Sequence, residues 1–212
     1  MPRLSSFLKK HAANILRISG AALGVAILLA GCAGNSALHW KTKSIANLTP
    51  DLQFTLVNGQ GRTVHAPRYL GKIDMVYFGY THCPDICPLT LATVKEAFHK
   101  LGPSASQVQL LFISVDPSRD TPKVLHTYVT AFGPHFIGLT GTQQQLQTLM
   151  KRYRVTYSYG KPDSHGNYVV EHSDGIFVFD AKGHAQLLMN YQDGASAIAH
   201  DLKQLIAEQK AA

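Results

Sequence analysis

Cys83 and Cys87 are the residues of this 212-residue chain best suited to chemistry. They stand in Tyr77-Phe78-Gly79-Tyr80-Thr81-His82-Cys83-Pro84-Asp85-Ile86-Cys87-Pro88. On one side is an apolar, strand-like run, Met75 to Tyr80; on the other is a helix-like run from about Leu89 to Leu101. Cys87 therefore falls at or just before a helix start, with Cys83 one turn earlier. Unpaired backbone N–H groups at such a position favour a thiolate, which makes a cysteine nucleophilic or metal-binding. The spacing is C-x3-C, not the C-x-x-C of a dithiol oxidoreductase, and the extra residue leaves room for a metal between two sulfurs. If the first turn is helical, positions i and i+4 put both sulfurs on one side. Two thiolates suit a soft ion, Cu(I) foremost. A site that also holds Cu(II) needs a third ligand.

The remaining cysteine, Cys32, belongs to a different kind of segment. Arg3, Lys9, Lys10 and Arg17 form a basic start with no acidic residue before Asp51, and an uncharged, mostly apolar run follows and ends in Leu29-Ala30-Gly31-Cys32. This is the layout of a secretory signal, and the final four residues resemble a bacterial lipobox, whose cysteine is lipidated and becomes the mature N-terminus. An uncleaved membrane anchor is the alternative. The run from Ile18 to Cys32 has only 15 residues, however, against the roughly 20 that a spanning helix needs. Either way the rest of the chain is expected at a bacterial membrane, on the periplasmic or outer side. Four of the positive charges in the net +7 lie in the signal, leaving +3 beyond it. That balance, with no Lys/Arg cluster, is not a nucleic-acid footprint. With Cys32 lipidated, only the close pair remains. A disulfide across so short a loop restrains little of the unfolded chain, so the pair reads as a reactive site and not as a staple.

The elements that must position this pair form one α/β domain. Residues 32–50 lack periodicity and read as a tether, with the domain over 51–212. Asp51 to Val57, the Asn58-Gly59 turn and Arg62 to Val64 predict an N-terminal hairpin. Ile73 to Tyr80 and Val108 to Val115 predict buried strands joined by the helix between them, a right-handed unit. Thr121 with Pro122, and Thr142, predict the starts of two further helices, with a short strand from Phe136 to Leu139 between them. Val155 to Tyr159 is expected to be extended, Gly160 to Asn167 a polar loop, and Val169-Val170, Gly175 to Asp180 and Ala185 to Met189 strands. A last helix is expected from about Ser196 to Gln209.

Thr81 to Pro88, Ser114-Val115-Asp116-Pro117-Ser118-Arg119-Asp120-Thr121-Pro122 and Glu171-His172-Ser173 together resemble the Sco/SenC family, over about Asp51 to Leu205. The resemblance implies a thioredoxin-like fold, with a central mixed sheet flanked by helices, and a membrane-anchored copper chaperone for the binuclear copper site of cytochrome c oxidase. It implies one copper per chain, held by Cys83, Cys87 and His172. The family commonly has Val-Asp-His where this chain has Val-Glu-His, a conservative departure at Glu171. The implied partners are the copper-site subunit of cytochrome c oxidase, a periplasmic thiol reductant and other copper chaperones. The reductant is required because copper ligation needs thiolates in an oxidising compartment. His82 is not counted as a ligand, since its ring would have to fold back over its own turn. Asp116, Arg119 and Asp120 are expected to order a loop beside the site. The main alternative is an exported thiol–disulfide oxidoreductase using Cys83 and Cys87 as a redox pair without a metal; a copper or redox sensor would use the same residues. A peroxiredoxin-like peroxidase would need an arginine beside the nucleophile, and none lies within ten residues of either cysteine.

Overall fold

The computed structural model describes residues 39–211. The signal, Cys32 and the first part of the expected tether lie outside the described residues. Eight strands form one mixed sheet in the order β1-β10-β9-β4-β5-β6-β2-β3. Its centre is β4 (Ile73–Gly79), parallel to β5 (Val108–Ser114) and antiparallel to β9 (Ile176–Phe179). Every residue of β4 and β5 is buried, which is why both read as unbroken apolar runs and not as alternating ones. Strand β6 (Phe136–Thr140) extends the parallel set. The N-terminal hairpin, β2 (Thr55–Asn58) and β3 (Thr63–His65), closes that side of the sheet. Its turn is held by the Asn58 side-chain oxygen, which accepts from the Gln60 and Arg62 amides at 3.1 and 3.0 Å, and by Gly61 at φ +72°. The mixed sheet with flanking helices is the expected architecture.

Helix α1 (Ile86–Leu101) connects β4 to β5 and packs against the C-terminal helix α4 (Gly194–Ala211), while α2 (Pro122–Thr130) lies on β6. Thr121 caps α2 by accepting from the Val124 amide, and Thr142 and Gln145 form a reciprocal capping box at the start of α3 (Gln143–Arg152), as Ser/Thr and Gln at these positions do.

Three features differ from expectation. Helix α1 begins at Ile86, not near Leu89, and so takes in Cys87 and Pro88. Proline is compatible with a first helical turn, because its missing N–H would have had no partner there. Part of the stretch expected as tether, Lys43–Ser44, is edge strand β1, paired with Leu188 and Leu187 of β10 (Ala185–Met189). It is secured by the fully buried Asp201 of α4, whose carboxylate accepts from the Lys41 and Thr42 amides at 3.0 and 2.8 Å and from the Thr42 hydroxyl at 2.8 Å. Burial pushes the Asp201 pKa up, but these bonds, with one from His200, outweigh it and leave the carboxyl below its usual range. Finally, the strand expected at Val169-Val170 is β8 (Val170–His172), which takes in His172 and pairs only with β7 (Tyr157–Tyr159), as a two-stranded sheet separate from the main one. His172 ends that hairpin.

Candidate metal centre

Helix α1 starts directly above the C-terminal end of β4, and this places Cys87. Residues two apart on a strand share a face, so Tyr77 and Gly79 both face the start of α1. The Tyr77 hydroxyl donates to Cys87 Sγ at 3.6 Å. Gly79 leaves the sulfur its space: a Cβ there would lie 2.9 Å from Cys87 Sγ and 2.9 Å from the Phe112 ring. Cys87 is fully buried, whereas Cys83 is half-buried in the turn before the helix. Asp85, at the helix start, makes no side-chain cap. Cys83 Sγ takes that role in part, accepting from the Cys87 amide at 3.4 Å. The i, i+4 relation expected of a helical turn is thus realised across the helix start.

His172 arrives from the separate hairpin. Its Nε2 lies 3.4 Å from Cys87 Sγ, while Nδ1 lies 2.9 Å from the Ser173 carbonyl. A carbonyl only accepts, so in the neutral ring Nδ1 carries the proton and the Nε2 lone pair faces the sulfurs. The rings of Tyr77 and Tyr80 hold the imidazole edge-on, with centroids 6.1 and 5.9 Å away. The three donor atoms of Cys83, Cys87 and His172 all lie within 4.8 Å of one another, and they are the one such His/Cys/Asp/Glu cluster among the described residues.

The two thiols are electrostatically unequal. A hydrogen bond from Cys87 is the chief reason the Cys83 pKa falls, to about 3; burial opposes it, and the amides of Asp85 and Cys87 add to it. The same partner, and then burial, push the Cys87 thiol up. Cys83 is therefore the ionised partner and Cys87 keeps its proton, which a soft cation taking all three inward-facing donors would displace. Cys83 should alkylate as a thiolate: its iodoacetamide rate, followed by mass spectrometry of its peptide in the reduced protein, should stay flat between about pH 5 and pH 8, where an ordinary thiol slows nearly tenfold per unit. A steep fall toward acid would show that Cys83 is not the ionised partner.

His82 points away from this centre, with Nδ1 3.1 Å from the Thr81 hydroxyl and 3.8 Å from the Asp120 carboxylate. Asp120 is fully buried and ties Thr81 down through its amide at 3.1 Å and its hydroxyl at 2.6 Å; Ser114 donates to it at 2.6 Å. Asp120 thus orders the loop entering Cys83, as expected of that segment. Sequence reasoning missed Tyr77, Gly79 and Tyr168 as supports of the site. For the first two the signal was available, because they have the strand parity that faces the cysteine helix.

A family model described as SCO1/SenC matches residues 43–207. Among curated proteins, the mitochondrial SCO2 homologue of Bos taurus is 39% identical over 132 residues, 61% of this chain and 50% of that one. The chain thus spans about half the length of this relative. Among solved structures, Arabidopsis thaliana ScoI with copper bound superposes with a TM-score of 0.70 at 31% identity, covering 74% of this chain and 98% of that one. Apo Sco1 from Thermus thermophilus gives 0.71 at 32% identity, covering 81% and 99%.

Proposed function

The chain belongs to the SCO1/SenC family, and from that premise we propose that Cys83, Cys87 and His172 carry one copper ion to the binuclear copper site of cytochrome c oxidase, or prepare the thiols of that site. The observation that carries this reading is the convergence of two sulfurs and an imidazole nitrogen within 4.8 Å, with the other ring nitrogen already committed to Ser173. The donor set is soft and lacks carboxylate oxygen, which suits Cu(I). Three protein ligands leave a position through which an acceptor's thiolate can enter, so copper can leave by stepwise ligand exchange. Zn(II) in a closed structural site would want a fourth ligand.

An anaerobic titration of the reduced protein with Cu(I) against a competing chelator tests this, with His172→Ala beside it. We expect one tight copper per chain, about 100-fold weaker binding in the variant, and loss of the Cu(II)–thiolate absorption band in the variant. Binding indifferent to His172 would sink the three-ligand site. It would favour the second reading, a thiol–disulfide oxidoreductase, for which the unequal thiols are suited: the Cys83 thiolate attacks and Cys87 resolves. In either role a thiol reductant must keep the pair reduced in an exported compartment.

The membrane association belongs to this proposal. It rests on the lipobox-like Leu29-Ala30-Gly31-Cys32 at the end of the apolar run, with Cys32 as the lipidated residue. Cys32→Ser should move the protein from the membrane fraction to the soluble one, with acyl chains missing from the mass of its N-terminal peptide. Retention in the membrane with the N-terminal mass unchanged would rule out a lipid at Cys32.

A further inference from the structure

The hairpin that carries His172 shares no ladder with the main sheet, so something else must hold it over the cysteines. The contacts converge on the segment after β5. The Tyr159 hydroxyl donates to the Val115 carbonyl at 2.6 Å, and the Tyr168 hydroxyl donates to the Asp116 carboxylate at 2.8 Å. The Arg119 guanidinium sits between the two sides. Its Nε pairs with the fully buried Asp116, its Nη1 donates to the Tyr168 carbonyl at 3.0 Å, and its face lies 3.6 Å from the centroid of the Tyr168 ring and 5.6 Å from that of Tyr80. Only 19% of the Arg119 side chain is exposed. Tyr80 closes the circuit: its hydroxyl accepts from the Val170 amide at 3.2 Å, and its ring packs edge-on against His172.

We propose that Arg119, fixed by Asp116 and clasping Tyr168, is a positioning residue that holds the β7–β8 hairpin so that His172 meets Cys83 and Cys87. The planar fork is what fits: one edge binds a carboxylate while another binds a carbonyl and the face covers a ring, a combination that a lysine ammonium cannot reproduce. The neighbouring Asp120 ties down Thr81 at the entrance to the cysteine turn. One short segment, 114–120, therefore secures both arms of the site, the cysteines through Asp120 and the histidine through Arg119. Arg119 acts on copper only through His172, and this inference rests on the three-ligand reading above.

The test uses the reduced full chain as wild type, Arg119→Gln, His172→Ala and the double variant. Without metal, hydrogen exchange should accelerate about tenfold or more at residues 168–172 in Arg119→Gln, with α1 amides from Leu91 onward unchanged. With copper, Arg119→Gln should weaken binding about tenfold and diminish the Cu(II)–thiolate band, yet cause no further loss in the His172→Ala background. Should Arg119→Gln fail to fold, Tyr168→Phe removes a single hydroxyl and should act in the same directions, less strongly. A loss that persists undiminished without His172, or hairpin exchange that does not change, would overturn the positioning role. If His172→Ala itself left copper binding untouched, the site reading would fall and the role of Arg119 in it would fall too, whatever the exchange data showed of the clasp.

Discussion

Cys87→Ser should abolish tight copper binding while leaving the fold in place. The sulfur is fully buried between the Tyr77 hydroxyl, the space over Gly79 and His172 Nε2. A serine oxygen fits that volume and can accept the Tyr77 hydrogen bond, so packing is nearly preserved. What is lost is a soft, ionisable donor, since a serine hydroxyl does not ionise near neutral pH. Structural zinc sites of cysteine and histidine are worth about 10–16 kcal/mol in all, roughly 3 kcal/mol or more per donor, and on that scale the loss of one donor should lower affinity about 100-fold or more. Cys87→Ala, which leaves no donor at this position, removes the hydrogen bond that most lowers the Cys83 pKa. The flat alkylation profile of Cys83 should then shift toward alkaline pH, because a raised pKa leaves less thiolate at any given pH below it. A competition titration of Cys87→Ser and an alkylation series on Cys87→Ala read the two effects. Copper affinity within a factor of a few of wild type would remove Cys87 from the ligand set.

Much of the architecture was legible because it is written in local pattern. β4 and β5 announce themselves as apolar runs, α2 and α3 through Thr121-Pro122 and Thr142, and the cysteine pair through its place between strand and helix. What escaped depends on partners far along the chain. β1 is two residues long with no periodicity of its own, and its hold on the domain comes from Asp201, 160 residues after Lys41. The early start of α1 was hidden by Pro88, which reads as a boundary until its place in a first turn is known. His172 was found through a resemblance and not through periodicity. Its hairpin stays in place through contacts of Tyr159 and Tyr168 with the 114–120 segment, separated by 44 and 52 residues. Tyrosines near a polar loop carry no such message in one dimension.

Gly79 is the position where fold and chemistry depend on the same absent atom. Its backbone is not in the left-handed region reserved for glycine, so the constraint is steric and not conformational. A methyl group at Gly79 would have to share space with Cys87 Sγ and with the Phe112 ring, each 2.9 Å away, closer than carbon and sulfur or two carbons can sit without displacement. Neither neighbour has room to yield: Cys87 is set by the first turn of α1, and Phe112 is fully buried on β5 beside Tyr77. Gly79→Ala should therefore cost about 1–3 kcal/mol of unfolding free energy, as overpacking of a filled core does. It should also push Sγ away from the point where the three donors meet. The two consequences are separable. Denaturant unfolding of the metal-free protein reads the first, and the intensity of the Cu(II)–thiolate band in the fraction that remains folded reads the second. If only the Phe112 side gave way, stability would drop while the band survived. If the band and copper affinity fell with it, the cysteine sulfur has moved, and the glycine is there to let a thiolate stand against the strand.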